Sequence, residues 1–184
     1  TFLPIAAFVL FLFFFMSFVR AQNTSAIWGV TSQGGKYNSG NIFYTTTSAI
    51  YIDTVYSFPI INEGKSPYYS SLLQAPDGKL YGLTSEGGMY NKGLLFSYDT
   101  ATGMMTKKYD FGDSTGSSPR GSLIRASNGK LYGMAYEGGK YNFGTIFEYD
   151  IDKDSMALKA DLDGFIGKYP YGSLVQAWNG KLYG

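Results

Sequence analysis

Residues 80–99 read LYGLTSEGGMYNKGLLFSYD, and residues 131–150 read LYGMAYEGGKYNFGTIFEYD. Both stretches share Leu-Tyr-Gly, a double glycine, a Tyr-Asn pair, a further glycine and a final segment that contains a phenylalanine and ends in Tyr-Asp. The double glycine recurs at Gly34, Gly87 and Gly138, with spacings of 53 and 51 residues. A constant period of this length indicates a repeat architecture in which each copy is one supersecondary unit.

The second unit predicts four short strands joined by tight turns, without any helical periodicity. The predicted strands are 71–75, 79–85, 94–99 and 104–111. In the third of these, alternate side chains point to opposite faces, which is the two-residue period of a strand.

Four antiparallel strands per unit at this period predict a β-propeller blade. We therefore expect an all-β fold in which residues 22–184 form tandem propeller-like blades that stack about a shared axis. About three units fit into these residues, whereas propellers close with about 4–8 blades. The expected domain is thus an incomplete, open arc of a longer protein. A linear β-solenoid is the alternative.

Two glycines, Gly82 and Gly133, lie inside predicted strands. A missing side chain in a strand suggests the close approach of another backbone, and we expect that approach near the crowded axis.

The amino-terminal segment is different in kind. Residues 5–16 form an unbroken apolar run, and Val19 and Ala21 fit the small-residue pattern of signal cleavage. Residues 1–21 are thus predicted to be a signal peptide with a helical core, cleaved between Ala21 and Gln22. The run is shorter than the roughly 20 residues of a membrane span, although an uncleaved anchor helix is the alternative.

Composition narrows the chemistry. The chain has no Cys and no His, and its net charge is +1. Thiol nucleophiles, imidazole bases and Cys–His zinc sites are therefore excluded, and no basic excess favours nucleic acid. We expect no catalytic residues, no metal, no cofactor and no nucleic-acid partner. Membrane contact is expected only through the signal segment or a carboxy-terminal sorting signal outside this sequence.

The glycine-rich loop is the candidate site. A catalytic loop is normally needed once, but this loop is present in every unit, so the glycines and asparagines should first serve the backbone. Aromatic rings and amides together suit sugars, whereas the alternative role of the tyrosines is packing between blades. The candidate ligand-binding residues are Tyr37, Asn38, Tyr90, Asn91, Tyr141 and Asn142.

Acidic residues repeat in two other places. Glu86 and Glu137 precede the double glycine, where a loop hydrogen-bond acceptor is the expected role. Asp150, Asp152 and Asp154 have the spacing of a calcium loop, but a serine stands at the glycine position, so we predict a hairpin turn.

Residues 78–99 and 129–150 resemble the GloVer-type, choice-of-anchor tandem repeats of bacteria, whose hallmark is G-x-LYG, then GG-x-x-N-x-G, then an aromatic strand. The stretch is more distantly similar to kelch repeats. The GloVer resemblance implies a signal peptide and an exchangeable carboxy-terminal anchor. It therefore implies a secreted or cell-surface protein of a Gram-negative bacterium.

Three functions are consistent with these features. The first is an exported binding or adhesion scaffold without catalysis, with surface glycans or another protein as partner. The second is a glycan-binding propeller that uses the loop tyrosines. The third is a propeller-type glycan lyase or hydrolase, which should break the repeat symmetry in one unit.

Overall fold

The computed structural model describes residues 26–46, 52–59 and 63–184. The predicted signal peptide and its cleavage site lie outside the described residues. The described residues form sixteen strands and no helix. Within those residues, accordingly, no helix has the length and apolar character needed to cross a membrane.

The strands are short and follow one another closely along the chain. In chain order they are β1 Ala26–Thr31, β2 Asn41–Thr46, β3 Asp53–Ser57, β4 Gly64–Lys65, β5 Leu73–Gln74, β6 Leu80–Thr84, β7 Glu86–Gly87, β8 Leu94–Asp99, β9 Met104–Asp110, β10 Ser117–Pro119, β11 Ile124–Arg125, β12 Leu131–Glu137, β13 Thr145–Asp150, β14 Ser155–Asp161, β15 Val175–Gln176 and β16 Leu182–Tyr183.

These strands build a series of antiparallel sheets, one for each sequence unit. The first sheet has the order β1-β2-β3, the second β5-β6-β8-β9, and the third β10-β12-β13-β14 with β11 also paired to β12. Strands β15 and β16 form a further pair. The predicted all-β fold with propeller-like, four-stranded blades is confirmed, and the four strands predicted for the second unit are present.

Consecutive sheets pack face to face. Every residue from Leu94 to Tyr98 is buried, because the two faces of β8 contact different neighbours. Leu94 and Phe96 pack with Phe58, which follows the first sheet, whereas Leu95 packs in a cluster with Phe147 of the third sheet. The second sheet therefore packs between the first and the third, as expected for stacked blades.

The inner edges of the sheets meet through a line of serines. The Oγ of Ser71 lies 2.8 Å from the Oγ of Ser122, and the backbone N–H of Ser122 donates to the Oγ of Ser173 over 2.8 Å. These serines precede β5, β11 and β15 at intervals of 51 residues. The innermost segments of successive units therefore converge, and the sheets fan out from them.

The expected role of the strand glycines is wrong in one respect. A Cβ on Gly82 would lie 2.5 Å from the ring of Phe96, which is its partner across β6 and β8. Gly133 faces Phe147 in the same way, at 2.5 Å. An aromatic ring, rather than another backbone, therefore occupies the space of the missing side chain.

The last sheet exposes a face that the earlier units cover. Tyr183 is 50% exposed, whereas its counterparts Tyr81 and Tyr132 are 2% and 8% exposed. Tyr81 packs against Tyr149 of the next sheet at 6.2 Å between ring centroids, whereas none of the described sheets covers the ring of Tyr183. The described sheets thus form an open arc.

Candidate functional site

The repeated loops lie at one end of the stacked sheets. They follow β1, β7 and β12, and they lead into β2, β8 and β13, respectively. The connections between successive sheets at 111–116 and 162–167 return the chain to this same end, because the strands alternate in direction. Within the described residues, the other end carries short turns, among them 100–103 and 151–154.

Glycine and asparagine fix the loop backbone. Asn91 has a φ of 53°, and its Oδ1 accepts a hydrogen bond from the N–H of Gly87 at 3.2 Å. The N–H of Gly93 donates to the carbonyl of Gly87 at 3.0 Å and closes the loop. The same contacts recur in the other two units, where Asn38 and Asn142 have φ values of 53° and 57°. The asparagines therefore serve the backbone, and only their Nδ2 groups are left for a ligand.

The last glycine of each loop makes room for the next blade. A Cβ on Gly93 would lie 2.2 Å from the carbonyl oxygen of Thr84 and 2.8 Å from Pro119 of the following unit. Gly144 stands in the same position against Pro170, at 2.8 Å. A side chain at these positions would therefore displace both the loop and the adjacent sheet.

The outermost strand also holds the loop. The Oδ1 of Asp110 accepts a hydrogen bond from the N–H of Met89 at 2.7 Å, and Asp161 accepts one from Lys140 at 2.7 Å. In the first unit, the Oγ of Ser57 accepts the corresponding bond from Lys36 at 3.3 Å. Each loop is thus anchored to both its own turn and the edge of its sheet.

The tyrosines of these loops face solvent. Tyr37, Tyr90 and Tyr141 are 38%, 59% and 46% exposed. These rings are therefore not fully buried between blades. The Nζ atoms of Lys36 and Lys140 lie 5.0 and 5.1 Å from the adjacent Tyr37 and Tyr141 rings, which is within the range of a cation–π contact.

The loop of the second unit borders an open groove. Tyr90 lies over Gly112 of the sheet connection, whose Cβ would be 3.5 Å from the ring. The groove has a volume of about 760 Å³ and includes Met89, Tyr90, Tyr109 and Asp113 in its lining. Within the described residues, the predicted site therefore consists of exposed tyrosines on hydrogen-bonded loops, one on each of three blades, rather than a single closed pocket.

The other predicted acids have structural roles. Glu86 forms an ion pair with Lys65 at 2.9 Å, instead of the expected hydrogen bond within the loop. Asp150 begins the tight turn 151–154, and its Oδ1 accepts a hydrogen bond from the N–H of Lys153 at 3.1 Å. The predicted hairpin turn is confirmed.

Sequence reasoning missed a buried charge on β13. Glu148 is 7% exposed. It accepts hydrogen bonds from the Nζ of Lys130 at 2.6 Å and the hydroxyl of Tyr132 at 2.5 Å. These donors, with Lys130 first, lower the pKa of Glu148 from 4.5 to about 2. The network joins β12 to β13 inside one sheet, so its role is structural.

Sequence reasoning also missed an aromatic cluster around Arg120. The Cζ of Arg120 lies 3.8 Å from the ring centroid of Tyr136 and 5.0 Å from that of Tyr171. Its Nη1 donates to the Tyr171 hydroxyl. Tyr169 packs on Tyr136 at 5.3 Å. The neighbours of Arg120 come from two other segments of the chain, Tyr136 from β12 and Tyr169 and Tyr171 from the segment before β15.

A known repeat family shares the sequence pattern of these blades. The model of the Gloeobacter/Verrucomicrobia repeat family matches residues 16–184. The chain belongs to this family. The resemblance to GloVer-type repeats is thereby confirmed, whereas the more distant similarity to kelch repeats stays a prediction. No curated protein matches the sequence of this Gloeobacter/Verrucomicrobia repeat protein.

Two solved structures are similar to this Gloeobacter/Verrucomicrobia repeat protein. One is TolB from Acinetobacter baumannii, at 16% identity and a TM-score of 0.46, covering 76% of this chain and 31% of TolB. The other is a puromycin-hydrolyzing peptidase of Mycobacterium tuberculosis, at 10% identity and a TM-score of 0.45, covering 73% of this chain and 19% of the peptidase. The chain thus spans less than a third of either protein.

Proposed function

We propose that this repeat protein is an exported, non-catalytic binding scaffold that presents its loop tyrosines to a partner at the cell surface or outside the cell. The observation that carries the proposal is the exposure of Tyr37, Tyr90 and Tyr141 on loops whose backbones are held by repeated hydrogen bonds. Rigid aromatic residues bind at a low cost in conformational entropy.

Several features support binding rather than catalysis. The chain has no His and no Cys. The aspartates of the hairpin turns accept backbone hydrogen bonds, as Asp77 does from Lys79 and Asp99 from Ala101. These side chains hold turns, which is a task that each unit repeats.

Export is supported by the sequence of the amino-terminal segment. Its apolar run, 5–16, and the small residues before Gln22 have the pattern of a cleaved signal. The absence of cysteine is compatible with either redox environment, so export rests on this segment and on the family resemblance.

A glycan is the ligand class that the loops favour. The face of an exposed tyrosine stacks on the C–H face of a sugar, and a neighbouring Lys or Asn donates hydrogen bonds to hydroxyl groups. Tyr141 with Lys140 and Asn142 offers these groups together.

The test is a glycan-array screen of the full chain with the paired substitutions Tyr90→Ala and Tyr141→Ala. We expect the wild type to bind at least one glycan class, and the double variant to lose that signal. Tyr183→Ala, which removes a tyrosine of similar exposure from β16, is the control and should bind as the wild type does. If the double variant binds as strongly as the wild type, the loop tyrosines do not bind the glycan and the proposed binding site is wrong.

A further inference from the structure

Residues that break the repeat lie together in the structure. Four such residues are Arg120, Tyr136, Phe143 and Tyr169, whose counterparts 51 positions earlier are Tyr69, Ser85, Lys92 and Ser118. Arg120 stacks on Tyr136, Tyr136 contacts Tyr169, and Tyr169 contacts Phe143 at 5.7 Å between ring centroids. Most features that serve this fold recur in the units, as the loop glycines and asparagines do, so a connected cluster of departures from the repeat is a candidate for a specific task.

The cluster lies at the loop end of the molecule and toward its inner edge. Arg120 follows β10, and two residues separate it from Leu123, whose neighbour Ser122 belongs to the line of serines. Tyr136 is near the end of β12, where the glycine-rich loop begins. The cluster is thus close to the convergence of the blades, whereas Tyr90 lies over the connection from the outer strand β9.

Arg120 carries a charge that has no acidic partner. Among the described residues, Arg120 takes part in no ion pair with a carboxylate, whereas Lys65, Lys92 and Lys130 each do. Its guanidinium face is covered by Tyr136, and one Nη1 bond goes to the Tyr171 hydroxyl. An arginine has five N–H donors in one plane, so the donors that do not bond Tyr171 can take a carboxylate with two parallel hydrogen bonds.

Two further tyrosines give the site its shape. Tyr69 and Tyr171 are 73% and 57% exposed, and their rings meet edge to face at 5.8 Å. Tyr171 is therefore shared between the guanidinium and an open aromatic surface. Such a surface beside a cation suits a ring with apolar C–H groups and an acidic substituent.

We propose that Arg120, Tyr136, Tyr171 and Tyr69 form a binding site for a hexuronate unit of an acidic polysaccharide. The carboxylate of the sugar pairs with the edge of the Arg120 guanidinium, and the pyranose ring lies against Tyr69 and Tyr171. This site is separate from the loop tyrosines, so it stands or fails independently of the binding assigned to Tyr90 and Tyr141.

The experiment is a calorimetric titration of the full chain with oligogalacturonate, oligomannuronate and a glucuronate oligomer. Each is compared with its methyl ester, which keeps the sugar ring and removes the charge. We expect at least one oligouronate to bind. Its methyl ester should have an affinity lower by a factor of about ten or more, because a hydrogen bond to a charged group contributes about 1.5–3 kcal/mol.

Substitutions assign the binding to the cluster. Arg120→Gln should weaken the oligouronate about tenfold or more. Arg120→Lys should restore only part of the affinity, because lysine lacks the planar fork. Arg125→Gln is the matched control, since Arg125 is an exposed arginine in the same inner segment, and it should leave the affinity unchanged.

A second variant guards against a folding defect at Arg120. Tyr69→Ala removes a largely exposed ring and should weaken the oligouronate while the melting temperature is kept. Lack of binding to all three oligouronates would overturn the proposal. Equal affinity for the methyl esters, or undiminished binding by Arg120→Gln, would also overturn it. The same holds if inorganic phosphate displaces the oligouronate at the concentration at which free galacturonate does, because that result would show a general anion site.

Discussion

The hydroxyl of Ser71 lies 2.8 Å from the hydroxyl of Ser122, a residue 51 positions further along the chain. The backbone N–H of Ser71 also donates to Ser122 Oγ at 2.8 Å, and Ser122 repeats this bond with Ser173. Residues separated by one sequence period therefore contact each other across neighbouring blades at the inner edge. The sequence repeat thus corresponds directly to the stacking of the blades.

The paired Gly133 and Phe147 should carry a large share of the stability of the third sheet. Phe147 is 1% exposed, covers Gly133, and packs on Phe111 at 5.0 Å between ring centroids. Phe147→Ala is expected to lower the free energy of unfolding by about 3–5 kcal/mol, measured by urea denaturation. Leu158→Ala, on the exposed side of β14, should change it by less than about 1 kcal/mol, and a similar loss in both variants would contradict the packing described.

The glycine that ends each loop should tolerate no side chain. Gly93 and Gly78 both have positive φ, of 92° and 81°, but a Cβ would lie 2.2 Å from Thr84 in the first case and in open space in the second. Gly78→Ala is expected to cost about 1–2 kcal/mol of unfolding free energy through φ alone. Gly93→Ala should cost at least about 2 kcal/mol more, because the loop must also move. Equal melting temperatures for the two variants would show that the close approach is absent.

Asn91 should stabilise the fold in two ways, through its positive φ and through its hydrogen bond to Gly87, and two substitutions can separate these contributions. Asn91→Gly keeps the positive φ but loses the hydrogen bond to Gly87, at an expected cost of about 0.5–1.5 kcal/mol. Asn91→Ala loses both and should cost about 1–2 kcal/mol more. Thermal unfolding of the two variants checks the order, and an alanine variant as stable as the glycine variant would rule out the backbone role.

Glu148 should make the free energy of unfolding depend on pH in the acidic range. Its pKa falls from 4.5 to about 2 on folding. The folded state therefore keeps the carboxylate charged, and the stabilisation is complete above pH 4.5 and lost as the pH falls toward 2. Glu148→Gln should remove up to about 1.4 kcal/mol per pH unit from the slope in this window, measured by urea denaturation at several pH values. An unchanged slope would show that Glu148 is no stronger an acid in the folded chain.

The sequence predicted the parts of the fold that repeat. The spacing of the double glycine and the alternation in 94–99 were enough to place the strands, because each of these signals is local and occurs several times. The two faces of β8 could be predicted, since Leu94 and Leu95 point in opposite directions in any strand. The covering of Gly82 by Phe96 was missed, because it depends on the register between two strands.

The candidate site was predicted only in part. The loop tyrosines stood out because they repeat, but their exposure depends on where Asp110 and Asp161 hold the loops. The cluster around Arg120 could not be predicted, since Arg120 and Tyr136 do not repeat and the members come from segments that only the stacking of sheets brings together. The loss of symmetry at these positions was the available signal, and its meaning required the structure.

The most direct test of the stacked-blade account is a disulfide between neighbouring blades. The chain has no cysteine of its own, so Ser71→Cys with Ser122→Cys introduces a single pair at the 2.8 Å contact. Ser71→Cys with Ser155→Cys is the control, because Ser155 begins the outermost strand of the third sheet. After mild oxidation we predict that the first pair loses its free thiols in the monomer fraction while the control keeps them. Free thiols in the first pair, or equal loss in both, would contradict the account.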